Sequence, residues 1–157
     1  MLTSSITGNA NEKPVILLDL NYTLVWNSQD TMSRRRYDEE IYRPWLIDLV
    51  QTFHVCLVTV RSIAEEQSTL DRIEAQSGWR PTEAHFNDRG LHAEEWKEQV
   101  LHTRILPRFE KFRLLAFESN AKVHKVYDVN GVPWAKIEKG DAPWPTIPTW
   151  KVLLSKR

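Results

Sequence analysis

The sequence has a single cysteine, no excess of charge of either sign and no long apolar run. One cysteine excludes a disulfide framework within the chain, and Cys56 lies in the apolar run HVCLVTV, which favours a buried, unreactive thiol. Lys plus Arg number 21 and Asp plus Glu number 21, so no overall positive field indicates nonspecific nucleic-acid binding. Any site for a polyanion must therefore be local.

The hydrophobic pattern also lacks a membrane span and a signal peptide. No apolar stretch approaches the length of about 20 residues that a transmembrane helix needs, and the polar start MLTSSITGNANEK has no apolar signal core. We therefore expect a cytoplasmic protein with no membrane partner.

The length of 157 residues fits one domain, which can bury enough surface to fold without a structural metal. We expect a loose leader over residues 1–13, a domain over residues 14–141 and a tail over residues 142–157. The tail is rich in Trp and Pro, and Trp144 and Trp150 in it are typical of core or interface anchors more than of base-stacking residues. The tail is thus expected to pack on the domain or at an interface, and a homo-oligomer is worth testing.

Apolar periodicity predicts strands and helices in alternation. Short continuous apolar runs are typical of buried strands, and apolar residues at helical spacing are typical of amphipathic helices. Strands are predicted over residues 15–19, 54–60, 83–87, 112–117 and 134–137, and helices over residues 37–53, 63–76, 92–101 and 121–129. Such alternation indicates an α/β layered domain with a largely parallel sheet, in which ligands bind at the carboxyl ends of the strands.

Polar side chains follow three of these predicted strands. Asp19 ends the first strand, Thr59 and Arg61 end the second, and Glu118 with Ser119 ends the fourth. A single carboxylate after an apolar run is usually a helix cap or a turn former. Three strand ends that each carry a group suited to phosphate or metal are a less common coincidence, and they predict one shared site.

Four segments resemble the signatures of the haloacid dehalogenase (HAD) superfamily. The run VILLDLNYTL resembles the first signature, an apolar strand followed by Asp-x-Asp-x-Thr, and CLVTVR resembles the second. Lys97 lies where the third usually supplies a lysine, and LLAFESNAKVHKVYDVNGV resembles the acidic fourth. The resemblance covers residues 14–141 and implies a three-layer Rossmann-like domain with a mostly parallel sheet and a minimal cap.

Within this superfamily, residues 96–141 resemble the 3′-phosphatase domain of phage polynucleotide kinase-phosphatase. Shared features are a lysine-bearing helix, a proline and a phenylalanine before a strand, and a closing strand that ends in Gly-Asp. The resemblance implies a phage or bacterial hydrolase that acts on nucleic-acid 3′-phosphate ends or nucleotides. Arg34, Arg35 and Arg36 form the basic part of the only insertion near the site, and they either lie in a solvated loop or guide an anionic strand.

The resemblance also implies catalytic and metal-binding roles. Asp19 would attack phosphorus and carry an aspartyl-phosphate, and Mg²⁺ would be held by Asp19, the backbone carbonyl of Asn21 and Glu118. Thr59 would bind a phosphoryl oxygen. Lys97 would neutralise the charge of Asp19 and phosphate together, although a solvated helix position is the more common fate of a lysine.

Three further residues are candidates for substrate contact. The planar guanidinium of Arg61 matches two phosphate oxygens, although an exposed arginine at a helix start is an equally good interpretation. Arg89, in the FNDRG turn, is a weaker candidate on the same grounds. Tyr22 occupies a position where the family often has glycine, so it adds bulk over the pocket or offers a stacking face.

The chain departs from the family pattern at two acidic positions. Asn21 replaces the general acid, and an amide cannot exchange a proton at working pH, whereas general acid–base catalysis contributes about 10²- to 10⁴-fold. Ser119 replaces one member of the usual acidic pair. Two hypotheses therefore stay open: a slow Mg²⁺-dependent phosphatase, with Asp88, His92 or Glu118 as a replacement acid, and a weak or inactive HAD-like module that binds a phosphorylated ligand or a protein.

Overall fold

The computed structural model describes residues 13–28 and 37–138, in which a five-stranded sheet is the central element. The strands lie in the order β3-β2-β1-β4-β5, and every neighbouring pair is parallel. Their bounds are β1 (Val15–Leu18), β2 (Val55–Ser62), β3 (Glu83–Asn87), β4 (Leu114–Glu118) and β5 (Trp134–Lys136). The predicted α/β class is confirmed, and in the described residues the sheet is parallel throughout.

Helices connect the strands, as the alternating pattern predicts. They are α1 (Pro44–Val50), α2 (Glu66–Ser77), α3 (Ala93–Val100) and α4 (Ala121–Val129). A turn of π-helix, Leu101–Ile105, continues α3. None of the helices in the described ranges is long and apolar enough to cross a bilayer.

The helices form one layer on each face of the sheet. Successive strand residues point to opposite faces, and β1 therefore contributes to two separate cores. Ile16 and Leu18 pack with residues of α1 and α2, whereas Val15 and Leu17 pack with Trp96 of α3 and residues of α4. This is the three-layer arrangement that the sequence predicts.

The helix predicted over residues 37–53 is shorter in the structure and begins at Pro44. Proline disfavours helical backbone at the residue before it, and Arg43 is extended with φ −60° and ψ 107°. The chain just before the helix instead runs beside the loop that follows β1, where Tyr42 forms an antiparallel bridge with Val25. This segment therefore lies next to the end of β1.

Glycines follow two of the helices. Gly78 after α2 has φ 72° and Gly131 after α4 has φ 69°, a left-handed conformation that glycine adopts without strain. The predicted leader of residues 1–13, the tail of residues 142–157 and Arg34 to Arg36 lie almost wholly outside the described residues. The domain limits and the cap therefore stay predictions.

The strand order reverses at β1. From β1 the chain builds β2 and β3 on one side, and β4 and β5 lie on the other side. Parallel sheets bind ligands in the crevice outside the carboxyl ends of the two strands where the order reverses. Asp19 follows β1 directly and Glu118 is the last residue of β4, so both lie at this crevice.

Candidate functional site

A buried cluster of three charged side chains occupies the crevice. Lys97 reaches in from α3, and its Nζ donates to Asp19 Oδ1 at 2.6 Å and to Glu118 Oε2 at 2.6 Å. Asp19 is 7% exposed, Lys97 3% and Glu118 1%. Buried charges are stable only when they are paired, and here two carboxylates share one ammonium.

The cluster carries a surplus of negative charge when both acids are ionised. Burial and the neighbouring Asp19 carboxylate raise the pKa of Glu118 to about 8, although Lys97 opposes the shift. Burial lowers the pKa of Lys97, but the charges of Asp19 and Glu118 outweigh burial and raise it. Lys97 is therefore held charged, and an additional cation at the cluster would relieve the repulsion between the two carboxylates.

The loop after β1 fixes the orientation of Asp19. Thr23 is fully buried, and its Oγ1 donates to Asp19 Oδ2 at 2.7 Å. Backbone hydrogen bonds close the same loop, from Leu24 N to Asp19 O at 3.3 Å and from Val25 N to Leu20 O at 2.8 Å. The Asp19 carboxylate is thus bound at one oxygen by Thr23 and at the other by Lys97.

Tyr22 forms the tip of this loop in a left-handed conformation, with φ 63°. This backbone region costs a non-glycine residue roughly 1–2 kcal/mol, which is the physical reason why glycine suits the position. The backbone N–H of Tyr22 donates to Ser28 Oγ at 2.9 Å and holds the turn. The Tyr22 side chain is half-buried, and its predicted role, as bulk over the pocket or as a stacking face, stays a prediction.

Oxygen ligands suited to Mg²⁺ come together here. Backbone N–H groups of Ser119 and Asn120 donate to Glu118 Oε1 at 3.2 Å and 3.1 Å and orient that carboxylate. The Ser119 hydroxyl donates to the backbone carbonyl of Asn21 at 3.5 Å, joining the ends of β1 and β4. Two carboxylates and a carbonyl are hard oxygen donors, so the residues present fit a hard divalent cation.

Arg61 is buried beside this cluster, and both of its Nη nitrogens bind protein groups, whereas its Nε has no hydrogen-bond partner among the described residues. Its Nη1 and Nη2 donate to the two Glu40 carboxylate oxygens at 2.8 Å and 2.6 Å, and Nη1 also donates to Thr69 at 3.1 Å. Nη2 donates to the side-chain oxygen of Asn21 at 2.7 Å. A guanidinium has no acceptor, so Asn21 must present its oxygen to Arg61 and turn its amide nitrogen away.

The Glu40 carboxylate also lies close to a second arginine, Arg72. Arg72 Nη2 lies 3.7 Å from Glu40, and the guanidinium groups of Arg61 and Arg72 lie 4.3 Å and 5.4 Å from the centre of the Tyr37 ring. Glu40 was not predicted to belong to the site, because a charged residue in a predicted amphipathic helix gives no signal of a partner 21 residues away. Thr23 was also not predicted to bind Asp19, although it lies in the segment that resembles the first signature.

The remaining predicted residues lie in different environments. Thr59 is fully buried in β2, where its hydroxyl accepts from the Arg61 backbone N–H at 3.1 Å. Arg89 is exposed in the turn after β3, Asp88 beside it pairs with Arg104 at 3.3 Å, and His92 is exposed at the start of α3. The structure thus brings Asp19, Asn21, Lys97 and Glu118 together, while the role of each remains a prediction.

Comparisons with known proteins find similar folds among solved structures. No family model and no curated protein matches the chain. Among solved structures, it is similar to a chain of the Pnkp1/Rnl/Hen1 RNA repair complex, with a TM-score of 0.64 and 15% identity over 90% of this chain and 49% of that chain. A chain in a second structure of the Pnkp1/Rnl/Hen1 complex has a TM-score of 0.66 and 16% identity, over 90% of this chain and 52% of that chain. This likeness shows a shared fold, and the present chain spans about half the length of the solved chains that it matches.

Proposed function

We propose that this chain is a Mg²⁺-dependent phosphatase of the HAD type that forms an aspartyl-phosphate at Asp19. Its proposed substrates are nucleic-acid 3′-phosphate ends or nucleotides. The observation that carries the proposal is the buried Asp19–Lys97–Glu118 cluster at the point where the strand order reverses. The fold shared with chains of an RNA repair complex supports the choice of substrate class.

Asp19 has the environment that a nucleophilic carboxylate needs. Thr23 and Lys97 each bind one of its oxygens, so the group is oriented and has a positive charge beside it. Attack of a carboxylate oxygen on phosphorus forms an acyl phosphate and breaks the phosphate ester bond, and the leaving oxygen takes a proton from water. Water then cleaves the acyl phosphate, which releases phosphate and restores Asp19.

The other residues would bind and neutralise the phosphoryl group. Asp19, Glu118 and the backbone carbonyl of Asn21 would hold Mg²⁺, which when bound supplies positive charge to the phosphoryl oxygens. Thr59 would donate a hydrogen bond to one of these oxygens. Lys97 stays charged between the carboxylates and balances the charge that phosphate adds to the cluster.

The side-chain amide of Asn21 limits how this residue can assist the departure of the leaving group. Its nitrogen can donate a hydrogen bond to the leaving oxygen, but it cannot protonate that oxygen. An alkyl phosphate, which includes a nucleoside 3′-phosphate, needs this proton more than an aryl phosphate does. The proposed enzyme is therefore slow on sugar phosphates and faster on substrates with a better leaving group.

Phosphate release tests the proposal. A 3′-phosphorylated oligonucleotide and an aryl phosphate are supplied side by side, with Mg²⁺ and with a chelator, to the wild type, Asp19→Asn and Asp48→Asn. Asp48 is exposed on α1, so the last variant is a matched control for the loss of one carboxylate. We expect chelator-sensitive release in the wild type and the control and none in Asp19→Asn; an unchanged rate in Asp19→Asn would contradict the assignment of the nucleophile.

A second function, binding without turnover, is favoured by the contacts of Asn21. The group at the usual acid position cannot titrate, and Arg61, which is itself bound to Glu40, holds it in place. A module of this kind would bind a phosphorylated ligand or a protein and leave it intact. Binding of the 3′-phosphorylated oligonucleotide that Asp19→Asn weakens, together with no phosphate release from either substrate, would support this function over catalysis.

A further inference from the structure

Three side chains that commonly bind metals lie together where β2 and β3 begin, at the edge of the sheet opposite Asp19. They are His54, Cys56 and Glu83, and one ligand atom from each lies within 4.8 Å of the other two. His54 immediately precedes β2, and Cys56 pairs in register with Glu83 of β3. Alternate residues of a strand share a face, so the three side chains meet on one face of the sheet.

The Glu83 carboxylate is already prepared to hold a cation. Arg108 donates to its two oxygens at 2.8 Å and 2.7 Å, while His85 lies 2.8 Å from Oε1 and His54 lies 3.1 Å from Oε2. Burial opposes ionisation of this group, but the hydrogen bonds from Arg108, His85 and His54 outweigh burial and lower the pKa of Glu83 to about 2. The contacts with Arg108, His85 and His54 therefore fix the position of the carboxylate.

Cys56 completes a donor set that a Mg²⁺ ion would not select. The side chain is fully buried against Glu83, and burial together with that carboxylate raises the pKa of the thiol. A sulfur, an imidazole nitrogen and a carboxylate oxygen form a set typical of Zn²⁺ sites. Such sites also form with a fourth, open position that water occupies.

We propose that His54, Cys56 and Glu83 form a binding site for Zn²⁺ or a similar transition-metal ion. On binding, Cys56 releases its proton to solvent and becomes a thiolate ligand. Arg108, whose side chain is 50% exposed, leaves Glu83 and turns to solvent, so that one cation replaces another. His85 keeps its hydrogen bond to the other carboxylate oxygen and orients Glu83 for the metal.

The site is separate from the proposed phosphatase centre. Residues 54 and 61 lie at opposite ends of β2, and seven residues of extended strand span roughly 23 Å. A metal ion here would bind to the beginnings of β2 and β3 at once, and it would stabilise the folded sheet because the unfolded chain does not hold these ligands together.

Titration of the metal-free, tag-free protein with Co²⁺ tests the proposal. The chain has one cysteine, so a thiolate-to-cobalt charge-transfer absorption reports on Cys56 alone. We expect this absorption to rise as Co²⁺ is added, to be lost on displacement by Zn²⁺ and to be absent in Cys56→Ser. His54→Gln should weaken Co²⁺ binding by at least about tenfold. Even residues that only hydrogen-bond to metal ligands change metal affinity by about 10- to 100-fold when they are mutated.

Control variants separate this site from adventitious binding. His102→Gln removes an exposed histidine that lies 3.7 Å from Glu98, and this variant should give the same thiolate-to-cobalt charge-transfer titration as the wild type. Arg108→Gln removes the cation that competes for Glu83, so this variant should bind Co²⁺ more tightly than the wild type. It also tests the proposal if Cys56→Ser folds poorly. Absence of the charge-transfer absorption in the wild type, or equal Co²⁺ affinity in the wild type, His54→Gln and Arg108→Gln, would overturn the proposal.

Discussion

At the scale of single residues, Asn21 shows how one contact limits the chemistry of a site. Arg61 donates to its side-chain oxygen at 2.7 Å, so the amide nitrogen is the end that faces away from Arg61. The family resemblance implies that Asn21 stands at the position of a general acid, but the sequence does not reveal the arginine that binds this side chain. The pairing joins residues 40 positions apart, and no local pattern encodes it.

Asn21→Asp is expected to raise turnover on alkyl phosphates because it restores a group that exchanges protons. Arg61 would favour the ionised form of the new carboxylate, so we expect a gain of about tenfold, at or below the low end of the range for general acid–base catalysis. Steady-state rates on an alkyl and an aryl phosphate measure the effect. The aryl phosphate is the control, since its leaving group needs little protonation; equal changes on both substrates, or a loss on the alkyl phosphate, would contradict the prediction.

Lys97→Met is expected to destabilise the protein because it leaves Asp19 and Glu118 buried without their shared cation. Removal of one partner from a buried charge pair costs about 3–5 kcal/mol. Urea unfolding at about pH 8 in chelator measures the loss, with Lys125→Met as a control because Lys125 is exposed on α4. If the two variants unfold at the same urea concentration, Lys97 does not balance the cluster.

At the scale of elements, the segment before α1 is the part that periodicity predicted wrongly. The apolar residues there have helical spacing, but Pro44 sets the start of the helix and leaves the chain before it extended. Glu40 lies on this extended segment, which brings its carboxylate into contact with Arg61. The helices and strands without an internal proline agree with the prediction within a few residues, because their periodicity is the dominant local signal.

Glu40→Gln is expected to weaken the connection between this segment and β2. Arg61 is 3% exposed, and it would keep a buried charge with a neutral partner, a change that costs about 3 kcal/mol. Turnover of an aryl phosphate should fall as well, because Arg61 would no longer hold Asn21 in one orientation. Asp38→Asn, at an exposed position in the preceding turn, is the control; thermal unfolding of Glu40→Gln that matches this control would contradict the prediction.

At the scale of the whole molecule, the alternation of strands and helices predicts the layers but not the order of the strands. The order β3-β2-β1-β4-β5 is the feature that places Asp19 beside Glu118, although they are far apart in the sequence. The strand-end rule predicts that polar residues gather at one edge, and the structure shows which of them touch. Lys97 was predicted through the family resemblance, because no local pattern in the sequence indicates a contact with Asp19 across 78 residues.

The stability of the whole domain should depend on pH through Glu118. Its pKa is about 8 in the folded protein and near its ordinary value of 4.5 in the unfolded chain, so the folded state binds more protons between these values. Stability in chelator is therefore expected to fall as the pH rises from about 4.5 to about 8. Urea unfolding across this range measures the trend, which Glu118→Gln should flatten; a rise in stability across the same range would contradict the assignment.

The most direct test of the central claim is a search for the covalent intermediate. The protein is mixed with an aryl phosphate and Mg²⁺, quenched in acid within the first turnovers, and analysed by intact and peptide mass spectrometry. We predict an adduct with the mass of one phosphoryl group on the peptide that contains Asp19, absent with chelator and absent in Asp19→Asn. Phosphate release without any adduct, or an adduct on another residue, would show that Asp19 is not the nucleophile.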